Sequence, residues 1–275
     1  MSPIPIPTLH LFPVLDQKLT VFLRSLPKQA WNYPTRAKLW TVKDIAAHLL
    51  DGNLRHISLL RDKYASETPG ELHSYQELLN YLNRLNSDWV TAWKRVSPEI
   101  LILLLEQTGK TFFECLQTLD LHADAAFPVA WAGHSKSPNW FHIAREYTEK
   151  WHHQQQIREA CGETTELLDL EFFEPLMNTF LCALPYAYRS LIAPEAVVAL
   201  RIEGLEKTWT IRYLNTGWEW ATTVDSPSTL IEVDKNTAWQ LATKGITSEE
   251  GQAKARITGQ REFAIPYFNM LAVMA

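Results

Sequence analysis

The chain has 275 residues, enough for one or two domains with a sizeable core. Hydrophobic residues make up 46% and charged residues 21%, an ordinary globular balance, and a net charge of -5 lacks the basic footprint of a nucleic-acid binder. No apolar run approaches the roughly 20 residues that span a bilayer, and three scattered cysteines (Cys115, Cys161, Cys182) make neither a disulfide framework nor a cysteine zinc site.

The opening "MSPIPIPTLHLFPVLDQ" has no basic n-region and no uninterrupted apolar core, so no signal peptide is expected and a cytoplasmic location is. Apolar residues then recur at helical spacing from Val14 to Leu26. After a proline-bearing link, Thr41 with Asp44 three residues on makes a capping-box-like start to a helix over residues 41–64, whose apolar positions keep the 3.6 period through Gly52. A third helix is expected from Ser74 and a fourth from Ser97, with Pro98 at its first position. The stretch 122–138, rich in Ala, Pro and Gly, reads as a loop. Ser137-Pro138 opens a helix that Cys161-Gly162 closes with a C-cap glycine. Long helices with short links predict a bundle, and no glycine-rich phosphate loop accompanies them.

The second half changes period. One more helix over 170–191, broken or stopped near Pro185, precedes strands expected at 196–204, 208–215 and 218–224, with a tight turn at Asn215-Thr216-Gly217. A fourth strand at 228–234, a short helix ending at Gly245, a fifth strand at 253–259 and a closing helix from Arg261 interrupted by Pro266 complete the pattern. The expected architecture is an all-α domain over 1–165, a four-helix bundle, followed by a smaller α+β domain over 166–275 with an antiparallel sheet. The 11 tryptophans suit large aromatic cores or an aromatic-walled pocket.

The chemistry-bearing stretch is "REYTEKWHHQQQIREACG", residues 145–162. Glu149 and His153, four apart, share one helix face and can chelate one divalent ion, although such pairs are also common on solvated faces. His48, in the apolar run "IAAHLL", is the candidate third ligand from a facing helix; a lone histidine there also suits a satisfied core position. Two helices projecting three protein ligands inward would leave an open position for water or substrate, the form of a catalytic rather than a structural zinc site.

"LWTVKDIAAHLL" together with "IAREYTEKWHHQQQIREACG" resembles the DinB-like metalloenzyme superfamily, and the Glu-x-x-x-His form resembles its mycothiol-dependent maleylpyruvate isomerase branch. The commoner pattern in that superfamily has His where Glu149 stands. "VDKNTAWQLATKGIT" and "YFNMLAVMA" are similar to the second, sterol-carrier-like domain of the branch. The resemblance places the metal ligands at His48, Glu149 and His153, with His152 as a neighbour; Gln156 could orient a ligand or water from outside them. It implies a divalent metal, zinc or nickel, and a low-molecular-weight thiol such as mycothiol, used for isomerisation or S-transfer on a small electrophilic substrate.

No cysteine lies in the metal motifs, so the thiol would be external. A dicarboxylate substrate would need cationic partners; Arg256 is the first candidate for a catalytic role there, with Arg212 and Arg261 as others. His142, Arg145, Glu146, His56 and His134 could line the same mouth. The competing expectation is a small-molecule or lipid-binding protein whose metal is structural or vestigial. Neither a nucleic-acid nor a membrane partner is expected; metal identity and oligomeric state, monomer or homodimer, stay open.

Overall fold

The computed structural model describes residues 5–65, 70–71, 73–215, 217–222 and 224–273. The chain divides into two compact units, one of residues 7–123 and 146–167, the other of residues 5–6, 124–145 and 168–273.

The first unit is helical. It contains α1 (Phe12–Ser25), α2 (Val42–Leu60), α3 (Tyr75–Trp93), α4 (Pro98–Gln117) and the larger, C-terminal part of α5 (Asn139–Ala160). Each start has a local cause. Thr41 and Asp44 close a reciprocal capping box on α2, with Asp44 Oδ2 accepting from the Thr41 amide at 3.0 Å. Ser74 caps α3, and Ser97 caps α4 with Pro98 in the first turn, where a missing N–H costs nothing. At the far end of α5, Gly162 takes φ +84, which ends the helix as its position predicts.

The core of this unit joins Leu19 and Leu23 of α1, the Val42–Leu50 face of α2, Leu101, Ile102 and Leu105 of α4, and Ile157 of α5. Trp89 fastens α3 to α2 by donating from Nε1 to the Ala47 carbonyl at 2.8 Å. Helices α1 and α4 approach closely at Gly109, where an added Cβ would stand 2.6 Å from Asp16 Oδ2. No helix among the described residues is long and apolar enough to cross a membrane.

The second unit is α+β. Its sheet has the order β3-β2-β1-β4-β5, from β1 (Val197–Ile202), β2 (Thr208–Leu214), β3 (Gly217–Trp220), β4 (Thr229–Val233) and β5 (Arg256–Gly259). Neighbours run antiparallel except β1 and β4, which pair in parallel with Leu200 opposite Ile231. The crossover that a parallel pair requires contains β2 and β3. Helices α6 (Leu170–Phe180), α7 (Leu184–Ala187), α8 (Lys235–Ala242), α9 (Ser248–Lys254) and α10 (Ile265–Phe268) complete the unit.

Three expectations need correction here. The helix expected over 170–191 is broken, as Pro185 suggested, but the break lies earlier, at the 3-10 turn Leu181–Ala183 between α6 and α7, and Pro185 sits in the first turn of α7. Residues 253–255 are not strand: α9 runs to Lys254, opened by a capping box between Thr247 and Glu250. The closing helix is a 3-10 turn, Arg261–Ala264, and the one-turn α10; residues 270–273 are not helical. The expected turn at 215–217 has Asn215 at φ +52 and Leu214 paired with Gly217; Thr216, and Thr223 of the third expected strand, lie outside the described residues. The loop 124–138 is held by Ser137 Oγ, which accepts from the Val129 amide at 2.8 Å.

Candidate metal centre

Helix α5 is polar in sequence but buried through most of its length. Glu146, Thr148, Lys150, His152, His153, Gln154, Gln155, Gln156 and Arg158 are all buried. Groups of that kind cost free energy unless each finds a partner. The structure supplies partners for several of them. Lys150 Nζ donates to Asp16 Oδ1 at 2.7 Å and to Asn53 Oδ1 at 2.9 Å. Gln155 donates to the Thr164 carbonyl at 3.0 Å. Arg158 meets Glu163 and Glu166 and donates to the Lys18 carbonyl. Gln155 Oε1, by contrast, is buried with no hydrogen-bond partner.

Three side chains of this unit converge. His48 from α2 and Glu149 and His153 from α5 bring one ligand atom each within 4.8 Å of one another. The His48 and His153 rings meet edge to face at 4.7 Å between centroids, and Trp40 lies 4.8 Å from His48 and 6.3 Å from His153. Ligand atoms about 2.0–2.2 Å from a tetrahedral ion stand roughly 3.4 Å apart, so small rotamer changes would close the set around a cation.

Two details show that these residues suit a divalent ion. His48 Nδ1 is buried and has no protein partner. His153 Nδ1 pairs with Gln156 Oε1 at 3.0 Å, which turns Nε2 toward Glu149 Oε2 at 3.5 Å. Nitrogen and carboxylate then face each other across a gap that a proton or a cation must fill. Gln156 thus fixes the tautomer and angle of His153, as outer partners of metal-bound histidines do. His152 bonds instead to the Thr148 carbonyl through Nδ1 at 2.8 Å, its ring 3.9 Å from that of His153.

The electrostatics are consistent with metal binding. Burial pushes the Glu149 carboxyl up, but the hydrogen bond from His153 and the charges of both neighbouring imidazoles outweigh it and hold it at about 2. Burial, with His153 next, pushes His48 well below its usual value and His152 down to about 4. An ionised carboxylate and a neutral His48 at neutral pH are the forms that ligate.

Residues 12–158, more than half of the chain, match the family described as the mycothiol maleylpyruvate isomerase N-terminal domain. The chain belongs to this family. Among solved structures, a histidine-to-alanine variant of the mycothiol-dependent maleylpyruvate isomerase is similar at TM-score 0.58 and 12% identity, covering 93% of both chains. Another structure of the mycothiol-dependent maleylpyruvate isomerase is similar at TM-score 0.55 and 11% identity, covering 86% of this chain and 88% of that one. At these identities the likeness shows a shared fold. No curated protein matches.

Other candidates fall elsewhere in this family member. His56 faces Glu146 at 3.3 Å and bonds to the Gly52 carbonyl through Nδ1 at 2.7 Å. His142 pairs with Arg145 at 2.7 Å, and His134 packs its ring on Phe141. In the second unit, Arg256 is exposed on β5 and pairs across the sheet with Glu232, which also takes Arg201. Arg212 sits on β2 opposite Val197 and Glu219, and Arg261 is exposed in a 3-10 turn. Sequence reasoning missed Trp40, which directly precedes the α2 cap and packs on His48.

Proposed function

We propose that this chain is a metal-dependent enzyme that uses a low-molecular-weight thiol in isomerisation or S-transfer on a small electrophilic substrate. The observation that carries the reading is the convergence of His48, Glu149 and His153 in one unit, three donors of mixed N and O type. Three protein ligands leave a position for an external group, as in catalytic sites. A zinc or nickel ion there would supply acidification of a bound thiol. The protein's own part is to hold Glu149 ionised, to keep His48 neutral, to orient His153 through Gln156 and to wall the site with Trp40.

The three native thiols support an external one. Burial pushes Cys115 and Cys161 up and Cys182 up to about 12, so none is a ready thiolate at neutral pH. Alkylation with iodoacetamide at pH 7 is expected to be at least tenfold slower for the native protein than for the urea-unfolded chain, read by mass spectrometry. A fast-labelling cysteine in the native protein would reopen a protein nucleophile.

The function itself is tested by incubating the metal-loaded protein with mycothiol, glutathione and cysteine against conjugated and epoxide electrophiles. Turnover that needs one thiol and stops on chelation is expected. Arg256 stays a proposed cationic partner of an anionic substrate, to be read by the KM of Arg256→Ala in the same assay.

A further inference from the structure

We propose that Arg55 is a residue of this site that recognises a carboxylate on the bound ligand, an inference that rests on the metal-and-thiol reading above. Arg55 and His48 lie two turns apart on one face of α2. Side chains on a helix lean toward its N-terminus, so Arg55 reaches back toward His48. The structure shows that lean: Arg55 Nε stands 2.9 Å from Asp51 Oδ2, one turn nearer His48.

Asp51 is the one carboxylate paired with Arg55 among the described residues. It is an unusual anchor for a helix-surface pair, because its own side chain is only 6% exposed while that of Arg55 is 48% exposed. A solvated pair four residues apart does little, whereas a buried carboxylate gives up hydration to hold its partner. Burial accordingly pushes the Asp51 carboxyl up.

A guanidinium has two hydrogen-bonding edges. Asp51 pins Nε, and the Nη1/Nη2 edge can meet a second planar carboxylate in bidentate fashion. A ligand at the open position would therefore meet an aromatic face from Trp40 and a guanidinium held at a fixed angle.

The test uses the full chain loaded with cobalt(II), whose visible spectrum responds to thiolate binding. The probes are 3-mercaptopropionate, 2-mercaptoethanol and, as a dicarboxylate without a thiol, succinate. The wild type is expected to bind 3-mercaptopropionate at least tenfold more tightly than 2-mercaptoethanol. Arg55→Gln is expected to erase that preference, with metal content and 2-mercaptoethanol affinity unchanged, and Arg55→Lys to recover only part of it. If the carboxylate belongs to the electrophile instead, succinate competes with 2-mercaptoethanol in the wild type and not in Arg55→Gln. Loss of either effect on substitution supports the assignment. Affinities for all three probes that match between wild type and Arg55→Gln overturn the role of Arg55 and leave the metal reading standing. A cobalt spectrum that responds to neither thiol overturns both.

Discussion

His48→Ala is expected to abolish stoichiometric metal binding while leaving the helical unit folded. His48 Nδ1 makes no protein hydrogen bond, so the substitution orphans no partner through it. The residue is only half-buried, and its ring contacts are with Trp40 and His153 at the site itself. The change in stability should be about 1 kcal/mol or less, as for substitutions that break no buried network. Metal affinity should fall by more than ~100-fold, the upper limit for loss of an outer partner, because a direct ligand is gone. Gln156→Ala, which removes only the support of His153 Nδ1, should cost about 10–100-fold. Elemental analysis after gel filtration reads the first quantity and a circular-dichroism melt the second. Full metal content in His48→Ala would remove His48 from the ligand set, and loss of the fold would make the metal structural.

The legible parts of this chain are those whose cause is local. Thr41 with Asp44, Ser97 with Pro98, and Gly162 announce helix ends within three or four residues, and the structure has all of them. Glu149 and His153 are legible as a pair because a helix fixes their spacing. His48 is legible as a candidate from its place in the apolar run of α2, but periodicity does not say which helix that face meets, and the resemblance of two motifs about a hundred residues apart is what joins it to the pair. The opposite lesson comes from α9. Its capping box at Thr247 and Glu250 was in the sequence, but the Gly251 inside the helix and the adjacent strand residues 256–259 masked a seven-residue helix. At Gly251 an added Cβ would stand 2.5 Å from Leu241 Cδ2, so a larger residue there requires Leu241 to move, a packing contact that no local pattern carries. The parallel pairing of β1 with β4 is likewise set by tertiary packing, as alternation within a strand does not reveal its neighbour's direction.

Asp16→Ala is expected to have the largest effect on stability, although Asp16 lies outside the ligand set. Lys150 is buried on α5, and its ammonium is held by Asp16 of α1 and by Asn53 of α2. Asn53 in turn donates to Thr108 Oγ1 of α4 at 3.0 Å, and the Thr108 hydroxyl donates to the Leu104 carbonyl. Four helices thus share one polar chain, and the only carboxylate in it is Asp16. Removing that carboxylate leaves a buried ammonium with a neutral amide oxygen, an uncompensated charge of the kind that costs about 3–5 kcal/mol. For a chain of this size that is a drop in melting temperature on the order of 10 °C. Lys150→Met in the Asp16→Ala background removes the stranded charge and should recover part of the loss, the remainder being the buried Asn53 Oδ1 left without its donor. The double-mutant cycle separates the two possibilities: strong coupling between positions 16 and 150 is expected, and additive effects would mean that water already solvates Lys150. Since Lys150 is the residue after Glu149, a shift of α5 in Asp16→Ala should also weaken metal binding, and the Lys150→Met double variant should restore it together with the fold.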